Sequence, residues 1–163
     1  MSSERVFLVA SIDAILIAEP TIESRPIGDG EIRDLAQLIV DAYVGLPGQI
    51  QTLDEAQAAL DALLAGSFGE PRRDAWLGVW EGYGRPDSAI LCTTWRGMPF
   101  IAHVLTAPSH RGRGYASSLV REAAVLFAKS GAAHVGVMLD RESPFGDLFR
   151  ELGFVEMFST VDA

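Results

Sequence analysis

The sequence contains little cysteine, few basic residues and no long apolar run. Cys92 is the single cysteine among 163 residues, which excludes an internal disulfide and a metal site built from several thiolates. Thirteen Lys and Arg stand against 22 Asp and Glu, giving a formal net charge of -9, and such a chain repels nucleic-acid phosphates. We therefore expect no nucleic-acid partner, no bound metal and a reducing, cytoplasmic compartment.

The longest apolar stretch, residues 6–18, is interrupted by Asp13. A membrane-spanning helix needs about 20 apolar residues, and a secretory leader carries a basic cluster and a small-residue cleavage site that this stretch lacks. We interpret the stretch as an early strand and expect no membrane role. The length of the chain fits one domain over residues 1–163, in which residues 1–21 form an N-terminal extension that supplies an extra strand.

Two helices are predicted in the first half of the chain. Apolar residues recur at three- and four-residue spacing over residues 31–43, which is the period of a helix. Thr52 and Glu55 fit a capping box at the start of a second helix, and Gly66 is the residue type that ends one.

The second half of the chain predicts a meander followed by a strand-helix-strand passage. Three short strands are separated by Gly- and Pro-containing turns. The later strand-helix-strand passage implies a parallel pair, because parallel strands need a long connection. The predicted strands cover residues 76–80, 88–95, 100–107, 134–139 and 154–160, and the predicted helices cover residues 114–129 and the segment from Ser143 to Leu152.

A local anion site is predicted between the third meander strand and the following helix. Residues 103–113 contain two Arg and two His but no acid. The first amides of a helix lack intrahelical acceptors and carry the positive end of its dipole, and Gly112 and Gly114 allow an anion to approach closely. Further donors are available on the side chains of Arg111, Arg113, Ser117 and Ser118.

The glycines of this loop have other interpretations. One is a tight turn whose arginines are merely solvated. A phosphate loop of the nucleotide triphosphatase kind is excluded, since no Lys-Ser or Lys-Thr follows the glycines. A dinucleotide-binding fold would place Asp140 at the ribose, but Ser117 replaces the third glycine of its fingerprint, and only 23 residues follow Asp140, too few for its repeated units.

A family resemblance favours a further interpretation, with the dinucleotide-binding fold kept as a distant alternative. The loop sequence resembles the Arg/Gln-x-x-Gly-x-Gly/Ala motif of the GNAT superfamily of N-acetyltransferases, and the order of elements agrees over nearly the whole chain. The residues that carry the resemblance are Arg111-Gly112-Arg113-Gly114-Tyr115-Ala116 and, at the end of the last helix, Leu152-Gly153-Phe154. It implies an α/β (α+β) fold with a mixed, mostly antiparallel sheet of about six or seven strands, about four flanking helices and a parallel pair at the acyl-CoA site.

The resemblance also implies a function, an acetyl-CoA-dependent acyltransfer to a primary amine of a small molecule or protein. By this resemblance, backbone groups of Val104, Leu105 and Thr106 would pair with the pantetheine of acetyl-CoA. The pyrophosphate would be held by Arg111, Gly112, Arg113, Gly114, Tyr115, Ala116 and Ser117. The oligomeric state is left open between monomer and homodimer.

The proton-transfer groups common in that superfamily are missing from their usual places. Phe149 stands where relatives often have a tyrosine that protonates the departing thiolate, and a phenyl ring cannot donate a proton. Phe100 and Ala102 stand where a Glu or His base often lies. An alternative hypothesis is therefore a non-catalytic acyl-CoA sensor or interaction module.

Three other residues are candidate catalytic groups, namely Glu81, His103 and Glu142. Strand alternation predicts that His103 faces away from Phe100 and Ala102. His110 is expected to touch phosphate or solvent, Tyr115 to pack, and Cys92 to lie in the core. Tyr43 and the connection over residues 45–51, a predicted lid, are expected to border the acceptor.

Overall fold

The computed structural model describes residues 4–45 and 50–160. Short 3-10 turns cover Asp29–Glu31, Arg73–Ala75 and Pro108–His110. The strands are β1 (Arg5–Ser11), β2 (Arg25–Pro26), β3 (Glu70–Pro71), β4 (Leu77–Val79), β5 (Ser88–Trp95), β6 (Met98–Thr106), β7 (His134–Asp140) and β8 (Val155–Ser159). The helices are α1 (Ile12–Ile15), α2 (Asp34–Ala42), α3 (Leu53–Leu64), α4 (Tyr115–Lys129) and α5 (Gly146–Glu151).

These strands form one eight-stranded sheet in the order β2-β4-β5-β6-β7-β1-β8, with β3 beside β5. The pairs of named strands are antiparallel except β6 and β7, which run parallel and pair at Phe100 with Gly136 and at Ile101 with Val137. The predicted mixed, mostly antiparallel α/β fold with a parallel pair is confirmed. The strands and helix beyond the predicted numbers are short, since β2 and β3 have two residues each and α1 has four.

The N-terminal strand lies inside the sheet. It pairs antiparallel with β7 on one side and with β8 on the other. The predicted strand over residues 6–18 was too long, because Ser11 caps a helical turn by accepting a hydrogen bond from Ala14 N at 3.1 Å. An N-cap serine followed by an acid, here Asp13, stabilises a helix start, so the chain turns away from the sheet there.

Of two helix starts predicted from local sequence, one agrees with the structure and one does not. The predicted cap of α3 is confirmed, since Thr52 Oγ1 accepts from Glu55 N at 3.1 Å. The predicted start of α5 at Ser143 was wrong. Ser143 Oγ instead accepts from Phe145 N at 3.2 Å, which makes a separate turn, and the helix begins at Gly146.

Buried apolar residues form a core on each side of the sheet. One core packs β-strand residues against α1, α4 and α5, and the other packs them against α2 and α3. Trp76 is fully buried and its indole N–H donates to Cys92 O at 2.8 Å. Cys92 lies in the core as predicted, where burial raises the pKa of its thiol and so disfavours the nucleophilic thiolate.

Across residues 4–45 and 50–160, no helix combines the length and apolar character that crossing a bilayer requires. The predicted lid cannot be placed, because residues 46–49 of that connection lie outside the described residues.

Candidate functional site

A cleft opens in the sheet where β6 and β7 diverge. The two strands pair only at the positions of Phe100 and Ile101, so the remainder of β6 has a free edge on the side away from β5. A cavity of about 620 Å³ occupies this divergence and is lined by residues of both strands, of α5 and of the loops around them. His103 and Glu142, two of the three predicted catalytic candidates, line it together with Val104.

The hydrogen-bond ladder determines which backbone groups of β6 face the cleft. Ala107 N donates to Asp87 O at 2.9 Å, and the same register continues through Leu105 with Ala89 and His103 with Leu91. Bonded and non-bonded pairs alternate in an antiparallel ladder. The backbone groups of Leu105 and His103 are therefore directed to β5, while those of Val104 and Thr106 face the cleft. Of the three residues predicted to pair with the pantetheine, Leu105 thus does not present its backbone groups to the cleft.

A β-bulge at Ala102 changes the direction of His103. His103 pairs with Leu91, but the next residue of β5, Cys92, pairs with Ile101, so Ala102 is an extra residue in β6. Residues paired across an antiparallel ladder share a face, and a bulge resets the alternation. Because Phe100 pairs with Thr93, His103 and Phe100 lie on the same face of the sheet, and the prediction that they face apart was wrong.

Desolvation lowers the pKa of His103 from 6.5 to about 4, so its imidazole is neutral at physiological pH. A neutral imidazole that lines the cavity has a nitrogen lone pair and can accept a proton. This part of the cleft therefore contains a neutral imidazole, which its lowered pKa makes a weak base, whereas Phe100 and Ala102 carry no group that could accept a proton.

The lowered pKa of His103 predicts a loss of stability in acid. The imidazole of His103 binds a proton more readily in the unfolded chain than in the folded chain. The free energy of unfolding is therefore highest above pH 6.5 and decreases as the pH falls toward 4. The wild type and His103→Gln are both expected to be less stable at pH 4.5 than at pH 7.5. The decrease in unfolding free energy should be about 1 to 3 kcal/mol smaller in His103→Gln than in the wild type. The measurement is urea unfolding at both pH values. His134→Gln, at an exposed histidine, is the matched control, and equal acid losses in wild type and His103→Gln would contradict the prediction.

The predicted anion loop lies between the end of β6 and the start of α4. Gly112 and Gly114 adopt φ values of 76° and 82°, the left-handed region that non-glycine residues rarely occupy. No atom of the described residues lies within 4 Å of where a Cβ would stand on either glycine. The loop is therefore an open cradle in front of the unpaired amides of the first turn of α4.

The two arginines of the loop have different surroundings. Arg111 Nη2 donates to Ala42 O at 2.6 Å and to Val44 O at 3.1 Å, so this side chain ties the loop to the end of α2. Arg113 is exposed and makes no hydrogen bond or ion pair with the part of the chain that the structure describes. Arg113 is accordingly the arginine whose charge is available to a ligand.

The two serines of the first turn also differ. Ser118 is buried, and its hydroxyl accepts from Thr21 N at 3.1 Å and Ile22 N at 3.0 Å and donates to Ile22 O at 3.3 Å. The prediction that Ser118 offers a donor to a phosphate was therefore wrong, because the N-terminal segment uses its hydroxyl. Ser117 is only partly buried and stays available to a ligand.

Glu81 lies beside the anion loop. One of its carboxylate oxygens accepts from Tyr115 OH, and the other lies 2.8 Å from His110 Nε2. The Tyr115 hydrogen bond, followed by that of His110, lowers the pKa of Glu81, which makes it a weaker base. Asp87 completes this group, 3.9 Å from His110 Nε2. These contacts connect the turn after β4 to the loop and leave His110 bound to Glu81.

Charged groups stand at the mouth of the cleft. Asp140 and Glu142 line the cavity and are exposed, and Arg5 Nε lies 3.7 Å from Asp140 Oδ1. Tyr43, at the end of α2, also lines the cavity. Desolvation and the charge of Asp140 raise the pKa of Tyr43, against a smaller opposite effect of Arg5, so its phenol stays protonated at neutral pH.

The sequence reading missed Phe68 and its supporting loop. Phe68 lines the cavity and is 42% exposed, and its carbonyl oxygen accepts from Thr93 Oγ1 at 2.7 Å. Gly66 and Gly69, with φ values of 91° and 96°, flank it. The available signal was an aromatic residue between two glycines just after a helix, which indicates a constrained loop presenting a side chain.

Comparison with known proteins identifies the family to which this chain belongs. A family model described as FR47-like protein matches residues 78–162, which is more than half of the chain. The chain belongs to the FR47-like family. The matched part of this FR47-like chain runs from β4 to the end of β8 and includes the anion loop and most of the cavity lining, whereas Arg5, Tyr43 and Phe68 precede it. No curated protein sequence matches the chain at a significant level.

Solved structures share the fold of this FR47-like chain. A GCN5-related N-acetyltransferase from Sphaerobacter thermophilus superposes with a TM-score of 0.69 at 20% identity, covering 96% of this chain and 49% of that one. A putative GNAT-family acetyltransferase from Novosphingobium aromaticivorans gives 0.63 at 16% identity, covering 96% and 61%. A GCN5-related N-acetyltransferase from Ralstonia eutropha gives 0.58 at 19% identity, covering 84% and 94%.

These matches confirm the predicted GNAT superfamily fold. The FR47-like chain spans about half the length of the Sphaerobacter thermophilus protein. Identities this low show a shared architecture, and the chemistry has to be argued from the residues of this chain.

Proposed function

We propose that this FR47-like chain is an acetyl-CoA-dependent N-acetyltransferase that transfers an acetyl group to a primary amine. The observation that carries the proposal is the combination of two binding features at one cleft. The free edge of β6 offers backbone partners at Val104 and Thr106, and the positive-φ glycine loop offers the amides at the start of α4. An extended amide-containing arm and a pyrophosphate need these two kinds of partner in this order.

The residues of the cleft fit acetyl-CoA. The pantetheine would pair with Val104 and Thr106, whose backbone groups are not used by β5. The pyrophosphate would meet the first amides of α4 and the charge of Arg113, in the space that Cβ atoms on Gly112 and Gly114 would otherwise enter. When bound, acetyl-CoA supplies an acyl group activated as a thioester.

The cleft also supports the transfer itself. The ammonium first loses one proton to solvent and becomes a neutral amine. A bond then forms between the amine nitrogen and the acetyl carbon, the carbon–sulfur bond breaks, and a second nitrogen proton is passed on to the thiolate so that CoA departs as a thiol. His103, neutral and facing the cavity, is proposed to accept the amine proton. Asp140 and Glu142 are proposed to attract the ammonium form to the mouth.

The second candidate function is a non-catalytic acyl-CoA sensor. It is favoured by Phe149, which is 2% exposed, lines the cavity and packs edge-to-face on Phe154 with ring centroids 5.1 Å apart. A phenyl ring at this place gives the leaving thiolate no proton donor. A sensor would bind acetyl-CoA without turnover.

An acceptor screen separates the two functions. We expect the purified chain to release CoA thiol from acetyl-CoA only when an amine is added, in proportion to acetylated amine detected by mass spectrometry. His103→Ala is expected to lower kcat at least tenfold, because a positioned base contributes a factor of about 100 or more. Tight acetyl-CoA binding without amine-dependent thiol release, across alkyl, aryl, sugar and peptide amines, would favour the sensor.

A further inference from the structure

One wall of the cavity is made of aromatic rings. The Trp95 ring lies 5.6 Å from the Phe100 ring and 5.6 Å from the Phe7 ring, and the Phe7 and Phe100 rings are stacked 6.4 Å apart. Trp95, Phe100 and Phe68 line the cavity. Rings that pack on one another are held in place, so this wall offers a preformed apolar surface.

This wall lies on the face of the sheet to which the bulge directs His103. His103 pairs with Leu91 and Phe100 pairs with Thr93, and Leu91 and Thr93 are two residues apart on one strand, so all four side chains share that face. The hydrogen bond from Thr93 to the Phe68 carbonyl holds the Phe68 loop against the same face. A compound resting on the rings would therefore lie beside the proposed proton acceptor.

The mouth of the cavity is negatively charged. Glu142 has no hydrogen-bond or ion-pair partner within residues 4–45 and 50–160. Asp140 is paired with Arg5, whose Nε lies 3.7 Å from Asp140 Oδ1, so the charged residues of the lining are two acids and one arginine. An ammonium group gains from this field and from nearby aromatic faces. A second carboxylate on the acceptor is repelled by the same acids.

We propose that the acceptor is a small cationic amine with an apolar, ring-sized body seated against Phe68, Trp95 and Phe100. A cavity of about 620 Å³ holds such a body together with the acetyl end of the cosubstrate. A sugar amine would leave several hydroxyls facing these rings without partners, and unpaired buried hydroxyls are costly. This inference rests on the proposed acetyltransferase function and specifies the class of its acceptor.

The test compares four amines at fixed acetyl-CoA, namely 2-phenylethylamine, ethylamine, glucosamine and glutamate. The kcat/KM for 2-phenylethylamine is expected to exceed that for ethylamine about 30-fold, because a phenyl ring buries considerably more apolar surface. The kcat/KM for 2-phenylethylamine is also expected to exceed the kcat/KM for glucosamine and for glutamate by at least about 30-fold. A preference for glucosamine or glutamate would overturn the inference and leave the acetyltransferase proposal standing.

Single-residue variants test whether the aromatic wall contacts the acceptor. Phe68→Ala, at a side chain that is 42% exposed, is expected to lower kcat/KM for 2-phenylethylamine about tenfold more than kcat/KM for ethylamine. Tyr83→Ala is the matched control, because Tyr83 is fully exposed and does not line the cavity. Equal preferences in Phe68→Ala and Tyr83→Ala would overturn the inference.

A binding measurement keeps the test independent of turnover. Calorimetric titration of 2-phenylethylamine into the chain saturated with CoA is expected to give saturable binding that weakens about tenfold in Phe68→Ala. Such binding without turnover of any amine would overturn the proposed acetyltransferase but support the aromatic-wall site. Absence of saturable 2-phenylethylamine binding would overturn the site itself.

Discussion

Replacing Gly114 by alanine is expected to raise the dissociation constant for acetyl-CoA about 30-fold while the chain stays folded. The backbone at Gly114 has a φ of 82°, and a Cβ there would have open space around it, in the loop that we propose holds the pyrophosphate. A pyrophosphate held further from these amides loses at least one charge-assisted hydrogen bond, and about 2 kcal/mol corresponds to this factor. Calorimetric titration of the wild type and of Gly114→Ala with acetyl-CoA measures the two dissociation constants.

Gly131 provides the matched control at the other end of the same helix. Its φ is 88°, and a Cβ there would likewise have no atom of the described residues within 4 Å. Gly131→Ala and Gly114→Ala should therefore lose similar unfolding free energy, about 1 to 2 kcal/mol each. Only Gly114→Ala should weaken acetyl-CoA binding. Equal affinities in the two variants would show that the loop does not hold the cosubstrate.

Replacing Gly69 by alanine is expected to cost about 3 to 5 kcal/mol of unfolding free energy. Its φ is 96°, and a Cβ would overlap the carbonyl oxygen of Thr94 and stand 3.1 Å from the Cα of Trp95. These are backbone atoms of β5, a strand inside the sheet, so they cannot move aside cheaply. We also expect Phe68 to leave the cavity wall, because its neighbour can no longer approach β5.

The Gly66→Ala variant distinguishes the free-energy cost of the steric clash at position 69 from the cost of placing alanine at a positive φ. Its φ is 91°, and the nearest atom to a Cβ there would be Gly69 O at 3.8 Å, an ordinary contact. Gly66→Ala is expected to cost about 1 to 2 kcal/mol, measured by urea unfolding beside Gly69→Ala. A difference below about 1 kcal/mol between the two would contradict the close packing of the Phe68 loop on β5.

The features that the sequence predicted well depend on neighbouring residues. The strand ahead of the loop, the start of α4 within one residue of the predicted Gly114 and the cap at Thr52 follow from short-range spacing and local hydrogen bonds. The glycine-containing turn at Gly112 and Gly114 also follows from the residue type, although its left-handed conformation is a finding of the structure. The loop sequence over residues 111–116, the strand ahead of it and the ending Leu152-Gly153-Phe154 carried the resemblance to the superfamily.

The features that the sequence did not predict depend on distant partners. The position of β1 between β7 and β8 is decided by which strands pair, and no local pattern of residues 5–11 contains that information. The bulge at Ala102 is visible only once β6 is aligned with β5. Glu81 is tied to Tyr115, 34 residues away, so its link to the anion loop was out of reach of spacing arguments.

The central claim is that the cleft and the loop together hold acetyl-CoA for transfer. Its most direct test is calorimetric titration of the wild-type chain with acetyl-CoA, repeated with the isolated acetyl-pantetheine portion. We predict saturable binding of one acetyl-CoA per chain, and much weaker binding of acetyl-pantetheine because it lacks the pyrophosphate that the loop would hold. Absence of saturable acetyl-CoA binding, or equal affinity for the two compounds, would contradict the account.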